Sequence, residues 1–597
     1  MKKLLTRIFT CIIIASLTFP LMSINVNAQV QPGQAGAIGI DVSKWQGAVD
    51  WAAVKASGVS FAFIKAFSTK GGIDPYFIQN LNGANANGIR TGVYVYSYAL
   101  TPEEAVNEAN TLIAIMQNYS ITYPVAIDIE DSSQKSLTPD QLAVIANSFC
   151  ATVEAAGYYP MVYANKHWFT NRIGYTPYDK WVAQYASTCD YAGTPCIWQA
   201  SCTGRIAGVA GDVDIDYLYK DYSFIVPQGF SVVGNYKYFY SNYRRMRGWV
   251  DFGGCRYFCD PTYAFVHTGW LDGGGIYYYL GDDGAMTVGF RQIGDAMYYF
   301  GADGIMKTGL VDVEADKYLF GADGKMYVGW WTPGDKMYFF GTDGKMSHGF
   351  CTIAEKIYYF DETGAMIVGL NKLGDNTYYF NEKGEMQTGF VKTPGGTYYF
   401  DGNGAMVKGL VTLADGIYYF DETTGLMQVG LKNMADGTRY FDPATGKLQT
   451  GLVATAAGNY YFGSNGLMVK GLVTLADGIY SFDQTTGVMQ TGLVTLADGT
   501  RYFAADGKMQ IGYVTIGNAV YYFNPANGLL VKGIVSDGKG TIYCDATDGH
   551  LITGLVTIGG APFFFDPASY YLVVNSTFEF GGHTYVSDAN GLVTLVQ

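Results

Sequence analysis

An internal repeat of about 20 residues runs from about residue 224 to the end of the chain. Methionine recurs at steps of 20 from Met286 to Met406, and the series continues at nearly the same step to Leu530. A glycine stands three residues after each member, and an aromatic trio, such as that at 298–300, precedes it. A fixed period of this length with one hairpin per unit predicts a β-solenoid whose units bury their aromatic faces against one another. Roughly sixteen such units fit between Gly248 and the C-terminus.

Glycine often follows an acidic residue inside the unit, as in Asp303-Gly304 and Asp323-Gly324. An Asp-Gly pair flanked by alternating apolar residues is typical of a β-hairpin turn, so we expect the hairpins to turn at these pairs. Aromatic residues make up 16% of the chain and charged residues only 15%, a composition that argues against disorder.

The charge balance excludes some classes of partner. The net charge is −14, which argues against nucleic-acid binding because affinity for phosphates depends on clustered Lys and Arg. Only five histidines are present, and His167 is the one within residues 29–222. A histidine-rich metal site is therefore not expected, and we predict neither a metal nor a cofactor.

The N-terminus has the pattern of a secretory signal. Three basic residues within the first seven positions precede an apolar run from Ile8 to about Met22, and Val26-Asn27-Ala28 fits a cleavage site. The run is too short to span a bilayer comfortably, and no later segment has about 20 apolar residues in a row. We expect a secreted protein held at a cell wall without covalent attachment. The expected division is a signal segment at 1–28, a catalytic domain at 29–222 and binding repeats at 223–597.

Residues 29 to about 222 alternate strand-like and helix-like stretches. Thr101-Pro102 and Thr138-Pro139 begin two helices, and Gly157 ends the second. This order predicts a parallel sheet with helices outside, closed into an α/β barrel that is irregular where the last strands crowd together. The eight strand candidates are Ala37–Asp41, Phe61–Phe67, Thr91–Ser97, Val125–Glu130, Tyr158–Tyr163, Lys180–Tyr185, Cys196–Ala200 and Asp212–Tyr217.

Acidic residues stand on three of these strands. Asp41 ends the first, Asp128 and Glu130 end the fourth, and Asp214 and Asp216 lie in the last. Side chains two apart on a strand share a face, so Asp128 and Glu130 project together at the mouth where barrel enzymes keep their active sites. Crowded carboxylates cannot all ionise at their free pKa values, so one is expected to stay protonated. A protonated carboxyl is the general acid that breaking a glycosidic bond requires.

The same segments carry a family resemblance that covers about 190 residues. Gly39–Gly47, which reads GIDVSKWQG, is similar to the opening of glycoside hydrolase family 25 lysozymes, and Ala126–Glu130 resembles that family's Asp-x-Glu strand. Trp181–Tyr185, Trp198-Gln199 and Val213-Asp214 resemble its late strands, in the right order. The resemblance implies an irregular (β/α) barrel and an N-acetylmuramidase. The implied substrate is the β-1,4 bond between N-acetylmuramic acid and N-acetylglucosamine in peptidoglycan.

Carried over by position, the resemblance makes Glu130 the general acid. Asp128 becomes the adjacent carboxylate, which orients the 2-acetamido group or stabilises the oxocarbenium ion, and Asp41 and Asp214 complete the acidic pocket. Aromatic faces and amides suit a pyranose ring, and the expected sugar contacts are Tyr96, Tyr163, Gln184, Trp198 and Gln199. The sequence departs from the family pattern at Ser68, where a Glu is common, and at Asp216, where an Asn is common.

The repeats resemble cell-wall-binding (choline-binding-like) repeats, glucan-binding repeats and the carbohydrate-binding repeats of large clostridial toxins. Choline recognition uses an aromatic cage around a quaternary ammonium, and Trp supplies much of that cage in choline-binding repeats. This array has only Trp249, Trp270, Trp330 and Trp331, all at its N-terminal end. The pattern therefore favours a glycan or wall polymer over choline as the repeat ligand.

Two other functions remain open. One is a glycan-binding adhesin with an inactive barrel, and the other is a hydrolase of a different N-acetylglucosamine polymer such as chitin. Disulfide pairing is also open: Cys189, Cys196 and Cys202 are close enough in sequence for one bond, Cys255 and Cys259 are four apart, and free thiols are an equal alternative.

Overall fold

The computed structural model describes residues 36–596, so the predicted signal segment at 1–28 lies outside the described residues. The chain forms two compact units, one of residues 36–328 with 342–345 and one of residues 329–341 with 346–596. Within residues 36–596 no helix is both long and apolar enough to cross a bilayer.

The first unit begins with a closed α/β barrel. Its strands are β1 (Ile38–Val42), β2 (Val59–Ser68), β3 (Gly72–Ile73), β4 (Arg90–Tyr96), β5 (Val125–Asp128), β6 (Pro160–Asn165), β7 (Asp179–Ala183), β8 (Ile197–Gly204) and β9 (Val213–Leu218). Apart from the short β3, which pairs at the edge of β2, the strands follow the order β1-β2-β4-β5-β6-β7-β8-β9, and β9 pairs back to β1. The predicted eight-stranded barrel is confirmed.

Helices connect the strands through β7. They are α1 (Trp51–Ala56), α2 (Phe77–Ala86), α3 (Pro102–Met116), α4 (Pro139–Ala155) and α5 (Lys166–Asn171), with a 3₁₀ turn at Ser132–Ser136. The hydroxyl of Thr101 accepts a hydrogen bond from the backbone N–H of Glu104 at 3.2 Å, and Thr138 forms a capping box with Gln141. Both predicted helix starts are therefore made by side chains that satisfy otherwise unpaired N–H groups.

The barrel is irregular in its second half, as the short spacing of the last strands predicts. No helix separates β7 from β8 or β8 from β9 among the described residues, and β9 runs antiparallel to both β8 and β1. The β8–β9 pairing shifts register twice. This reversal brings the acidic residues of β9 beside Asp41 on β1.

Alternation along the strands separates two layers of core. On β2, Ala62 and Ile64 pack towards the helices, whereas Phe61 and Phe63 belong to a second cluster. Neighbouring residues on a strand point to opposite faces, so this second cluster lies on the inner side of the barrel.

Residues beyond position 222 complete the inner cluster. Tyr222, Phe224, Ile225 and Tyr240 are at most 3% exposed and pack with the inner residues of the barrel strands. The guanidinium of Arg90 also donates to the backbone oxygen of Ile225 at 2.6 Å. The expected boundary at residue 222 therefore falls inside a shared core.

The rest of the described chain forms eighteen small antiparallel sheets, each built on one hairpin. The first unit contains Gln228–Val233 with Tyr236–Ser241, Gly248–Phe252 with Cys255–Cys259, Gly269–Asp272 with Tyr277–Leu280, Gly289–Ile293 with Ala296–Phe300, and Gly309–Val313 with Asp316–Phe320. The second contains Gly329–Trp331 with Tyr338–Phe340, Gly349–Ile353 with Lys356–Phe360, Gly369–Leu373 with Asn376–Phe380, Gly389–Thr393 with Gly396–Phe400, Gly409–Leu413 with Gly416–Phe420, Gly430–Met434 with Gly437–Phe441, Gly451–Thr455 with Gly458–Phe462, Gly471–Leu475 with Gly478–Phe482, Gly492–Leu496 with Gly499–Phe503, Gly512–Ile516 with Ala519–Phe523, Gly533–Ser536 with Thr541–Cys544, Gly554–Ile558 with Ala561–Phe565, and Thr577–Phe580 with His583–Ser587. Short third strands add Arg244–Arg245, Met468–Val469, Met489–Gln490, Met509–Gln510 and Val593–Leu595.

The period of 20 follows from a contact between consecutive units. The thioether of Met286 lies against Gly304 of the next unit, where a Cβ would stand 2.3 Å from the sulfur. Gly304 also has a φ of +75°, which side-chain-bearing residues rarely adopt. Met306 and Gly324 repeat the contact, and Leu448 makes it with Gly466, so a long apolar side chain and a glycine are required once per unit.

The expected position of the hairpin turn is wrong. The strands Gly289–Ile293 and Ala296–Phe300 are joined at Gly294-Asp295, not at Asp303-Gly304. Asp303-Gly304 instead reverses the chain between Phe300 and Met306, which form a single bridge. The Asp-Gly pair does mark a chain reversal. Each unit contains two tight turns, however, and the sequence pattern does not show which of them joins the two hairpin strands.

The eight cysteines of the described residues are unpaired. Cys255 and Cys259 occupy the two ends of one extended strand, Cys255–Cys259. Four residue steps in a strand span roughly 13 Å, well beyond the 7 Å that a disulfide allows between Cα atoms. The pairing considered for these two residues is therefore excluded by the strand itself.

Candidate active site

Four carboxylates from three strands form the centre of the site. Asp41 on β1 pairs in register with Asp214 on β9, Asp128 is the last residue of β5, and Glu130 lies two residues beyond it. Asp41 is 6% exposed and Asp128 is 4% exposed, whereas Asp214 and Glu130 are half-buried. The barrel thus brings together four acids, of which the first and the last, Asp41 and Asp214, are more than 170 residues apart in the sequence.

Burial and mutual repulsion hold protons on this cluster. Burial raises the pKa of Glu130, and the charge of Asp214 raises it further. Burial also raises the pKa of Asp128 well above its usual range, with Glu130 as the next cause, and raises the pKa of Asp214 to about 6. Burial followed by the charge of Asp214 raises the pKa of Asp41. A site of this kind keeps carboxyl groups neutral at pH values where free ones are ionised, as a general acid requires.

A lysine lies beside the acids. Lys65 is half-buried on β2, where alternation places it on the same face as Phe61 and Phe63. Burial lowers its pKa, and the charges of Asp128 and Glu130 among its neighbours oppose that effect. Lys65 is not among the site residues expected from the sequence, although the period of two on β2 points to this position.

Gln199 connects two tyrosines to Asp41. Its amide nitrogen donates to a carboxylate oxygen of Asp41 at 2.6 Å. Its amide oxygen accepts from the hydroxyl of Tyr163 at 2.9 Å and from that of Tyr185 at 3.2 Å. This network fixes the orientation of the Gln199 amide and holds Asp41 in place. Tyr185 belongs to the network but is not among the site residues expected from the sequence.

Tyr96 lies at the other side of the cluster. It pairs in register with Asp128, its hydroxyl donates to Asp131 at 3.2 Å, and the amine of Lys65 lies 4.9 Å from its ring centre. The ring is half-buried and next to the acids, so it can offer a face to a sugar.

Two of the expected sugar contacts have their partners elsewhere. The side chain of Gln184 hydrogen-bonds Asp190 in the loop after β7. Trp198 donates to the backbone oxygen of Gln184 at 2.8 Å and packs near Tyr217. The structure therefore brings Tyr96, Tyr163 and Gln199 to the carboxylates but does not bring Gln184 or Trp198 there.

Asp216 is a fifth acid, directly beneath the cluster. It is fully buried, and one carboxyl oxygen accepts from the indole nitrogen of Trp181 at 2.8 Å. Its other oxygen has no partner among the described residues, and burial raises its pKa well above the usual range. An uncompensated buried charge is costly, so this environment favours the neutral form of Asp216.

Comparison with known proteins identifies this arrangement. The model for glycosyl hydrolases family 25 matches residues 40–209. Lysozyme M1 of Streptomyces globisporus is 31% identical over 199 residues, which are 30% of this chain and 67% of that protein. The chain belongs to glycosyl hydrolase family 25. The autolytic lysozyme of Clostridium acetobutylicum is 29% identical over 185 residues, which are 30% of this family 25 chain and 54% of the relative.

The repeats of this family 25 protein match separate models. A choline-binding repeat model matches residues 367–409 and 388–430, and a putative cell wall binding repeat model matches residues 268–286 and 288–306. A crystal structure of the wild-type modular Cpl-1 endolysin complexed with a peptidoglycan analogue is 18% identical and covers 62% of this chain and 95% of the endolysin, with a TM-score of 0.26. The chain is thus a glycoside hydrolase joined to repeats of the cell-wall-binding type.

Proposed function

We propose that the protein is an exported N-acetylmuramidase that cleaves the β-1,4 bond between N-acetylmuramic acid and N-acetylglucosamine. The observation that carries this proposal is Glu130, a half-buried acid whose pKa is raised by burial and by the charge of Asp214. It stands beside three further carboxylates in a family 25 barrel. Export rests on the signal pattern at 1–28.

In the proposed reaction, Glu130 gives its proton to the glycosidic oxygen as the bond from that oxygen to C1 breaks. The carbonyl oxygen of the 2-acetamido group bonds to C1, and Asp128 accepts a hydrogen bond from the amide nitrogen that becomes positive. Water then adds at C1, its proton passes to Glu130, and the acetamido group is restored. A substrate-assisted route of this kind is a recognised exception to the two-carboxylate scheme.

The surrounding groups fit the charge that develops at C1. Asp41 and Asp214 face each other across β1 and β9 and supply negative potential to an oxocarbenium-like centre. Gln199 keeps Asp41 oriented, and Tyr96 and Tyr163 border the same space and offer faces and hydroxyls to the sugar.

The test is the identity of the new reducing end. Purified peptidoglycan is digested with the mature protein, the products are reduced with borohydride, and the ends are identified by mass spectrometry. Muramitol ends support the proposal. Glucosaminitol ends would assign a different bond, chitin cleavage without peptidoglycan cleavage would assign another polymer, and no cleavage of several wall types would leave a glycan-binding protein with an inactive barrel.

We also propose that the repeats hold the enzyme on a wall polymer through clusters of three aromatic rings. The ring of Phe350 lies 4.9 Å from Tyr359 of its own hairpin and 5.1 Å from Tyr378 of the next. Phe390 forms the same cluster with its two neighbours. The other clusters of this form centre on Trp249, Trp270, Phe290 and Trp330. Such surfaces suit the face of a sugar ring or a quaternary ammonium.

Replacing the central rings by leucine should weaken wall binding. Leu370 and Leu410 occupy the equivalent position in neighbouring units, so Trp330→Leu, Phe350→Leu and Phe390→Leu together keep a side chain that the hairpin accepts. Because many weak sites act together, we expect the apparent affinity for walls to fall at least about tenfold. Sedimentation with purified walls measures it, with free choline and wall-derived saccharides as competitors that distinguish the two ligand classes.

The matched control changes Leu370 and Leu410 to Ile, which alters the same surface position without removing a ring. Unchanged binding by the control and weaker binding by the triple variant support the aromatic clusters. Equal binding by both variants would contradict them.

A further inference from the structure

A large cavity lies beside the carboxylate cluster and has no part in the mechanism described above. Its volume is about 830 Å³, within the range of small-ligand sites in proteins. It is bounded by the chain from Phe67 to Ile73 after β2, by Tyr98 and Leu100 after β4, and by one face of α3. The β2 and β4 segments and the start of α3 lie at the end of the barrel where β2 and β4 finish, and the lining continues along α3 to Ile115.

Two neighbouring tyrosines link the lining of the cavity to the catalytic cluster. The ring centres of Tyr96 and Tyr98 are 5.2 Å apart. Tyr96 faces the acids, and the amine of Lys70 lies 3.9 Å from the ring centre of Tyr98 on the cavity side. The lining of the cavity and the catalytic cluster therefore meet at this pair of rings.

A buried carboxylate shapes the cavity before any ligand arrives. Glu108 of α3 is 5% exposed and accepts hydrogen bonds from Thr69 at 2.5 Å, Ser97 at 2.6 Å and the backbone N–H of Tyr98 at 3.0 Å. It ties the β2 loop and the end of β4 to one helix. A cavity fixed in this way loses little ordering entropy on binding.

The lining combines exposed apolar surface with charges of both signs. Ile73 is 56% exposed and Leu100 is 41% exposed, although both are large apolar residues at the edge of the cavity. Lys70 and Glu104 also line it. A short peptide with methyl side chains, free carboxylates and an amine matches both the apolar and the charged parts of this lining.

We propose that this cavity receives the stem peptide of the peptidoglycan strand. The inference rests on the proposed muramidase function. The stem peptide is amide-linked to the lactyl group of N-acetylmuramic acid, the sugar whose bond is cleaved, so it must leave the cluster close to the reacting ring. A residue in an extended peptide spans about 3.3–3.6 Å, so three or four residues reach roughly 10–14 Å beyond that ring. Lys70 pairs with a peptide carboxylate, and Ile73 and Leu100 cover alanine methyl groups.

The experiment compares two substrates from the same wall: glycan chains that carry stem peptides, and chains stripped of them by an amidase. We expect the wild-type kcat/KM to be at least about tenfold higher on the peptide-bearing chains. Ala114→Trp places a large ring from an exposed position of α3 into the cavity, and Lys70→Glu reverses its positive charge. Both changes should bring the ratio of the two kcat/KM values towards one.

The matched control is Val144→Trp, at an exposed position of α4 that does not line the cavity. It should leave the ratio unchanged, and thermal melting shows that each variant is folded. A wild-type ratio near one, or a ratio that Ala114→Trp and Lys70→Glu do not alter, would overturn the stem-peptide site while the muramidase function stands. Failure of the wild type to cleave either substrate would remove the proposed function and this inference with it.

Discussion

Glu130→Gln should lower kcat by about 10²- to 10⁴-fold, which is the usual contribution of a positioned general acid. Glutamine keeps the shape of the side chain but has no proton to give to the departing glycosidic oxygen. The fold and the binding of whole walls should remain, because Glu130 is half-buried at the end of a strand and makes no part of the repeats. Release of reducing ends from peptidoglycan measures the turnover, and sedimentation measures wall binding.

The control is Glu103→Gln, which makes the same chemical change at an exposed position in the first turn of α3. It should retain wild-type turnover. Near-normal activity of Glu130→Gln would assign the proton to another group, and Asp128 would be the next candidate.

The same proton sets the alkaline limit of activity. Glu130 acts in its protonated form, so activity should fall as the pH rises through its pKa. That limit should lie above the usual range of a glutamate, because burial and the charge of Asp214 both raise the pKa of Glu130. A pH profile of kcat/KM for the wild type reports it, and a limit at or below pH 4.5 would contradict the described environment.

Shortening the chain to end at Tyr222 should unfold the barrel or leave it only marginally stable. The cut removes Phe224, Ile225 and Tyr240, all of which are buried in the inner cluster. At about 1.5–3 kcal/mol for each buried side chain, the loss is about 5–9 kcal/mol. Typical domains have a total stability of 5–15 kcal/mol, so little would remain.

A chain that ends at Thr268 is the matched comparison. It keeps these three residues and the small cluster of Phe239, Val250 and Val266 that covers the first hairpin. We expect it to melt cooperatively and to cleave soluble fragments, while the shorter chain does neither. Equal melting temperatures of the two chains would show that the inner cluster is stable without residues 223–268.

Much of the barrel could be predicted because its signals are local. Short Val-, Ile- and aromatic-rich runs marked all eight strands, and threonine-proline pairs marked two helix starts. The acids could also be grouped, because parallel strands end at one mouth and residues two apart share a face.

The remaining features depend on contacts that no local pattern encodes. Trp198 and Gln199 are neighbours on β8, so only one can face the interior, and the sequence does not say which. Gln184 lies just beyond the end of β7, where its side chain forms hydrogen bonds with the loop residue Asp190. The segment after Tyr222 looks like the start of the repeats, because its aromatic residues resemble theirs, yet part of it packs into the inner cluster of the barrel.

The packing contact between each methionine and a glycine of the next unit affects how such an array can evolve. A gain or loss of one whole unit leaves every other methionine–glycine contact intact, so unequal recombination between the similar coding segments changes the length of the array without disturbing its core. A gain of one residue between Met346 and Gly364 would instead move the sulfur away from Gly364, whose missing Cβ leaves room for it. Selection can therefore tune the number of binding sites in steps of one hairpin, while the spacing inside each step stays fixed.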